Sequence, residues 1–226
     1  MTTLRLAFRT LRRTPVVTLV AVVSLALGMG ATTAIFATFH RVLLQPLPVP
    51  EPDRLVNLSA PGPKPGWISC NQTGSCEEVF SYPMFRDLER VQQVFTGIAA
   101  HRSFGANLAW HGETTSGEGV YVSGSYFPVL GLRPAVGRLF DPRDDRAPGE
   151  PRAVVLSHAY WTSRFGGNPG VLGDTLVVNG QPLAIVGVAP RGFEGTTLGM
   201  RPQVFVPVTL RQVLEPRWRG FDDRRN

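Results

Sequence analysis

Few side chains in this sequence could do chemistry, and the densest group of them is acidic. Its four carboxylates are Asp141, Asp144, Asp145 and Glu150. Such a group could form a pair of catalytic carboxylates or a calcium-binding loop. Pro142 and Arg143 interrupt the spacing that an EF-hand loop requires. We therefore predict a solvated, turn-rich loop at this position.

The other catalytic and metal-ligating types are isolated along the chain. The histidines are His40, His101, His111 and His158. They form no H-x-x-x-H pair and no cluster with cysteine, and no serine lies in a G-x-S-x-G elbow. The single lysine, Lys64, lies in a proline- and glycine-rich loop, so the sequence has no P-loop for ATP. We expect no catalytic, cofactor-binding or metal-binding residue, and no enzymatic activity.

The element with the clearest sequence signal is an apolar segment near the N-terminus. Residues 14–39 contain no charged side chain, and 26 helical residues span about 39 Å, enough to cross a hydrocarbon core of about 30 Å. A cleaved signal peptide has a shorter apolar stretch and a small-x-small cleavage site, which this segment lacks. We predict one uncleaved transmembrane helix at residues 14–39.

Basic residues precede this segment, and they predict its orientation. No acidic residue occurs among the first fifty, whereas Arg5, Arg9, Arg12 and Arg13 lie on the N-terminal side. By the positive-inside rule the N-terminus is cytoplasmic, and the region after about residue 40 lies outside the inner membrane. The same arginines flank an apolar stripe within residues 1–13. That pattern predicts an amphipathic helix lying on the anionic cytoplasmic membrane surface.

Small residues recur every four positions within the apolar segment. One stripe contains Ser24, Gly28 and Thr32, and a second contains Gly30 and Ala34. Small side chains at this spacing allow helices to approach closely in lipid, which favours transmembrane partners. The alternative is an isolated anchor that merely tolerates small residues.

The region after the apolar segment has the composition of a folded domain. We predict a proline-rich connector at residues 40–52 and one domain at residues 53–226, truncated at its C-terminal end. Strands and helices alternate there without βαβ regularity, which indicates an α+β fold with a mixed α/β domain. The net charge of +6 comes from scattered arginines without a basic stripe, so we expect no nucleic-acid partner.

Local signals predict several elements within this domain. Ser81 is placed to cap a helix whose buried face would carry Met84, Leu88, Val91 and Phe95. Ser157 is placed to cap a second helix. The pair Asn179-Gly180 lies between two apolar runs and predicts a β-hairpin with a type I′ turn.

Cys70 and Cys76 are the two cysteines of the sequence. They lie in a region predicted to face an oxidising compartment, which favours a disulfide that closes a small loop. Two unpaired thiols are the alternative.

Six segments resemble one known family in the same order along the chain. They are LAFRTLRRTP at 6–15, ALGMGATTAIF at 26–36, VSGSYF at 122–127, GRLF at 137–140, WTSRFGGNP at 161–169 and GVAPRGF at 187–193. Together they resemble the MacB-type (macrolide-exporter-like, FtsX-like) ABC transporter permeases, especially the long, duplicated permeases of acidobacteria. The resemblance covers nearly the whole chain.

This resemblance implies a function that the residues alone do not show. It implies a periplasmic core domain inserted after the first transmembrane helix of a non-catalytic permease. A separate ABC ATPase subunit would drive its movement, with further permease helices or a second permease copy as partners. Such permeases continue into more transmembrane helices, so the resemblance also predicts that this chain is a fragment. The alternatives are a membrane-tethered binding module and an exported enzyme.

Overall fold

The structure is a computed structural model that describes residues 15–39, 47–61, 79–145, 147–197 and 199–216. The chain separates into two compact units, Met1–Pro46 and Leu47–Asn226. The predictions for residues 1–13, with Arg5, Arg9, Arg12 and Arg13, and for Cys70 and Cys76 lie outside the described residues.

The described part of the first unit is a long apolar helix, α1, at Pro15–Phe39. Its 25 residues span about 37 Å, and by length and composition it can cross a membrane. Two threonine hydroxyls of this helix donate hydrogen bonds to backbone carbonyls four residues earlier. Thr32 Oγ1 donates to the Gly28 carbonyl at 2.9 Å, and Thr33 Oγ1 donates to the Met29 carbonyl at 2.8 Å. These bonds satisfy polar groups that would otherwise be costly in lipid. The predicted N-terminal apolar helix is confirmed.

The second unit is a mixed α/β domain, as the sequence predicts. Its strands in the described residues are β1 (His101–Trp110), β2 (Glu113–Val122), β3 (Val136–Gly137), β4 (Ala153–Leu156), β5 (Thr175–Val178), β6 (Gln181–Val188) and β7 (Val204–Pro207). Its helices there are α2 (Tyr82–Val91), α3 (Tyr126–Val129), α4 (His158–Phe165) and α5 (Arg211–Leu214). Short 3₁₀ turns lie at Pro52–Arg54, Pro142–Asp145, Pro169–Val171 and Val208–Leu210.

Six of these strands pair in a ring. The order is β1-β2-β7-β4-β6-β5, and β5 pairs back onto β1 through Leu108–Val178 and Ala109–Val177. The pairs β2–β7 and β4–β6 are parallel, and the other four are antiparallel. The short strand β3 pairs with the C-terminal end of β6. Closure leaves fewer unpaired backbone groups at sheet edges.

The sheet has an apolar cluster on each face because side chains alternate along its strands. On β7, Val204 and Val206 belong to one cluster, and Phe205 between them belongs to the other. The first cluster includes Tyr160 and Phe165 of α4. The second is rich in aromatic rings: Tyr126, Phe127, Phe140, Phe193 and Phe205.

Turn chemistry accounts for two hairpins. The predicted β5–β6 hairpin is confirmed, with positive φ angles of 47° at Asn179 and 80° at Gly180. The sequence reading missed the β1–β2 hairpin. There His111 and Gly112 adopt positive φ angles of 50° and 86°, and the paired strands are ten residues long. His-Gly is not among the residue pairs that mark a type I′ turn in sequence, such as Asn-Gly and Asp-Gly, so the turn carried a weak signal.

The α2 helix is capped as predicted, but the prediction of its buried face is wrong. Ser81 Oγ accepts from the Met84 amide at 3.4 Å. Phe85 is buried, whereas Met84 and Val91 are 45% and 65% exposed. Phe95 is exposed as well and lies beyond the helix, because the chain becomes extended at Gln92. The helix therefore turns a different face toward the domain from the one that apolar spacing indicates.

Candidate functional site

An open groove runs between helix α4 and the loop that follows β6. It has a volume of about 630 Å³. Residues His158, Ala159, Thr162 and Ser163 line the helix side, and residues 191–194 line the loop side. These walls fall within or beside two of the segments that carry the family resemblance. We take this groove as the candidate functional site of the domain.

The helix wall is fixed at both ends of α4. Ser157 is an extended N-cap whose Oγ accepts from the Tyr160 amide at 3.3 Å, as the sequence predicts. Gly166 ends the helix in a left-handed conformation with φ of 63°. Tyr160 and Phe165 anchor the opposite face in the core. Rotation of α4 would remove Tyr160 and Phe165 from the core, so these contacts fix the positions of the residues that line the groove.

The loop wall is anchored by Phe193, which is 1% exposed. Its ring stacks on Phe205 with centroids 5.8 Å apart, and it contacts Tyr126 and Phe127 at 6.3 and 6.4 Å. Aromatic pairs at these distances add to the free energy gained by burial alone. The loop is therefore pinned to the aromatic cluster at the point where it lines the groove.

A hydrogen-bond chain fixes the same loop three residues later. Thr196 Oγ1 lies 3.1 Å from the Tyr126 hydroxyl and 3.2 Å from His101 Nε2. Burial raises the pKa of Tyr126 to about 12, so its hydroxyl stays protonated at physiological pH. Both walls of the groove are consequently preorganised by contacts with the domain core.

The two charged side chains of the loop wall, Glu194 and Arg191, differ in their ion pairing. Glu194 is paired with Arg201 at 3.3 Å. Arg191 is exposed and has no ion pair or hydrogen-bonded partner for its side chain among the residues that the structure describes. The loop wall therefore offers one unpaired guanidinium, while its carboxylate is paired with Arg201.

The acidic cluster is a structural clasp, and the prediction of a solvated loop is wrong for two of its members. Asp144 is 9% exposed and binds the Arg138 guanidinium through two oxygens, at 2.7 and 2.9 Å. It also accepts from the Asp141 amide at 3.0 Å. The buried carboxylate thus holds the chain after β3 to the 3₁₀ turn at Pro142–Asp145. Sequence spacing could not show this, because the partner arginine precedes the cluster.

Asp145 performs a similar role for helix α2. Its side chain is buried and accepts from the Tyr82 hydroxyl at 3.2 Å and from the Gly124 amide at 3.4 Å. Arg86 lies 3.5 Å away as a third partner. This one carboxylate therefore ties the first two turns of α2 to the loop that follows β2.

These carboxyl groups predict opposite pH dependences of stability. Burial raises the pKa of Asp145 above 3.8, against the lowering effects of Gly124, Arg86 and Tyr82. A raised folded-state pKa contributes stability that is fully present below pH 3.8 and is lost as pH rises through the folded pKa. We expect Asp145→Asn to remove this contribution, so the parent chain gains stability relative to the variant as pH falls from about 7 toward 3.8. Unfolding midpoints of the full chain in detergent across this range measure the effect.

Asp141 provides the internal control. Hydrogen bonds from the Arg143 side chain lower the pKa of Asp141 to about 2. A lowered pKa contributes stability that is present above 3.8 and is lost as pH falls toward about 2. Asp141→Asn should therefore differ from the parent most at neutral pH and least in strong acid. Identical pH profiles for the two variants would contradict both assignments.

The small residues predicted as a packing surface lie on α1 and are exposed. Ser24, Gly28 and Thr32 follow one line along the helix, and Gly30 and Ala34 lie on another face. A β-carbon added at Gly28 or Gly30 would meet no atom of the described chain within 4 Å. The packing itself stays a prediction. In the described ranges, no group of three or more His, Cys, Asp or Glu side chains could hold a metal ion.

Two solved structures are similar to parts of this chain. The extracellular domain of the noncanonic ABC-type transporter YknZ from Gram-positive bacteria is 23% identical, with 59% of this chain and 65% of that chain covered and a TM-score of 0.48. The periplasmic region of MacB from Actinobacillus actinomycetemcomitans is 21% identical, with 61% and 59% covered and a TM-score of 0.49. This chain thus spans less than two thirds of either structure. No curated protein gives a significant match.

A family model provides the decisive comparison. The model for the MacB-like periplasmic core domain matches residues 18–223, which is most of the chain. The match includes most of α1 and the whole mixed α/β domain with its groove and acidic clasp. The resemblance inferred from six sequence segments is confirmed, and the chain belongs to the family of MacB-like periplasmic core domains, which are parts of ABC-type transporter permeases.

Proposed function

We propose that this chain is part of a non-catalytic permease subunit of an ABC-type exporter or mechanotransmission system. In this proposal a partner ATPase hydrolyses ATP in the cytoplasm, and the resulting helix movement is passed to the extracytoplasmic domain. Family membership supports the permease assignment. The same membership supports the proposed ATPase partner and the coupling.

The observation that carries the proposal is the exposed apolar surface of α1. Its membrane-length segment, Pro15–Ala37, has a mean hydropathy of 2.1, and large apolar side chains along it are exposed. In a stable protein, an apolar helix surface of this length is covered by lipid, by other helices or by both. Two stripes of small residues favour helices for part of it. We therefore propose that further permease helices or a second permease copy pack against α1.

Orientation is proposed on the same basis. We place the N-terminus in the cytoplasm and the domain outside the inner membrane, because Arg5, Arg9, Arg12 and Arg13 precede α1. Alkaline phosphatase, which is active only after export, should be active when fused after residue 61. Green fluorescent protein fused at the same point through the general export route should be dark. The reverse pattern would contradict this orientation.

Replacement of Gly28 by leucine should weaken partner binding. The added side chain would fill the close-approach surface shared with Ser24 and Thr32, and we expect recovery of an ABC-class ATPase to fall about fivefold. The measurement is affinity purification of the tagged full chain from mild detergent, with ATPase subunits quantified by mass spectrometry.

Val22→Phe is the matched control, because it also enlarges an exposed side chain but lies about 120° around the helix from both Gly28 and Ala34. Its ATPase recovery should equal that of the parent. Equal recovery for Gly28→Leu would refute the packing surface, and a parent chain that purifies alone would refute the permease proposal.

A membrane-tethered binding module is the second candidate, and the groove is the observation that favours it. A preorganised groove with an uncommitted arginine is a feature of binding surfaces. Under this alternative α1 is a simple anchor, and partner binding occurs at the domain. A variant that loses binding at the groove but still recovers the ATPase subunit would show that domain binding and permease assembly are separate roles.

A further inference from the structure

The helix wall of the groove presents hydrogen-bond acceptors. The Thr162 hydroxyl donates its hydrogen to the His158 carbonyl at 2.8 Å, and the Ser163 hydroxyl donates to the Tyr160 carbonyl at 3.3 Å. The Thr162 oxygen also lies 3.4 Å from His158 Nδ1, and each hydroxyl oxygen still has a lone pair that can accept. Because the two residues are adjacent and exposed on α4, they offer two acceptors to N–H donors in the groove.

The loop wall presents the opposite chemistry. Arg191 is a planar donor of up to five N–H groups, and the neighbouring carboxylate of Glu194 is paired with Arg201. At Gly192 no described atom lies within 4 Å of the place where a β-carbon would stand. A ligand backbone can therefore approach this wall closely, next to a free guanidinium.

Acceptors on one wall and a guanidinium on the other match a peptide better than a phosphate or a lipid headgroup. A peptide has backbone N–H groups to donate to hydroxyl oxygens, and an acidic side chain supplies a planar carboxylate for bidentate binding by arginine. A phosphodiester has only acceptors, so it could engage the helix wall only if the Thr162 and Ser163 hydroxyls gave up the carbonyls to which they now donate. The groove is open to solvent, which gives a peptide segment access to both walls.

We propose that this groove binds an extended, carboxylate-bearing peptide segment of another protein, with Arg191 taking the carboxylate and the hydroxyls of Thr162 and Ser163 accepting from its backbone. The site is independent of α1, so this proposal can succeed or fail separately from the permease assignment. The partner is defined by its chemistry as an acidic, extended segment.

Fluorescence anisotropy with the purified full chain in neutral detergent tests the proposal. The probe is a fluorescein-labelled hexapeptide of alanine with two central glutamates, and its matched control has glutamines in their place. We expect saturable binding of the acidic peptide and about tenfold weaker binding of the control. Arg191→Gln should reduce binding of the acidic peptide by a similar factor and remove most of its preference over the control.

Two further variants separate the groove from general charge. Arg133 is also exposed but does not line the groove, so Arg133→Gln should bind like the parent. Ala159 is exposed on the helix wall, so Ala159→Trp should fill the groove and abolish binding with an unchanged circular dichroism spectrum. Equal binding by the parent and Arg191→Gln, or no saturable binding at millimolar peptide, would overturn the proposal.

A lipid competitor decides between ligand classes. Unlabelled acidic peptide should displace the probe, and short-chain dihexanoyl phosphatidylglycerol at equal concentration should not. Stronger displacement by the lipid would assign the groove to anionic headgroups and overturn the peptide proposal.

Discussion

Replacement of Gly187 by alanine is expected to destabilise the domain by about 3 kcal/mol, because strand β6 has no space for a side chain there. A β-carbon would lie 2.8 and 2.9 Å from the carbonyl carbon and amide nitrogen of Arg138, and closer still to its oxygen. These are backbone atoms, so no rotamer change relieves the overlap. Moving them would also disturb the bidentate contact between Arg138 and Asp144.

Chemical denaturation of the full chain in detergent, followed by tryptophan fluorescence, measures this cost. Gly105→Ala is the matched control, since Gly105 also lies in a strand and a β-carbon there would meet nothing within 4 Å. We expect the control to change stability by less than about 0.5 kcal/mol. A Gly187→Ala variant as stable as the control would show that β3 does not need its close approach to β6.

Phe193→Ala should cost about 3–5 kcal/mol, the range for truncating a buried phenylalanine. The ring is fully enclosed and stacks on Phe205, so its removal leaves a cavity between β7 and the groove loop. We expect a second effect at the groove itself, because the loop loses one of its two anchors. Affinity for the acidic peptide should fall even where the domain remains folded.

Val94→Ala is the control for this truncation, because Val94 is 87% exposed. Its denaturation midpoint and its peptide affinity should both match the parent. Phe193→Leu should restore part of the stability, since it refills most of the cavity volume. If Phe193→Ala left affinity unchanged at low denaturant, the second anchor at Thr196 would be sufficient to fix the loop.

Much of the fold could be predicted from local signals, because local chemistry determines those elements. Ser157 caps α4, and the Asn179-Gly180 pair turns the β5–β6 hairpin, each through a bond or dihedral within a few residues. Apolar spacing misplaced the buried face of α2. There the decisive contact is between Tyr82 and Asp145, 63 positions apart. No local pattern contains that information.

The candidate site depends even more on contacts between residues that are far apart in the sequence. Arg191 and His158 are ordinary surface residues in the sequence, and only the ring of strands brings the end of β6 beside the end of β4. The family resemblance located the two segments, but it gave no reason for their proximity. The acidic cluster drew attention for catalysis, whereas its buried members hold loops together. Burial and pairing distinguish these roles, and both are tertiary properties.

The ring of strands has a mechanical consequence. In an open sheet an outer strand can peel away, but each of these six strands is held on two sides. A load on one strand is therefore shared around the circuit, and sliding one pair requires its neighbours to slide as well.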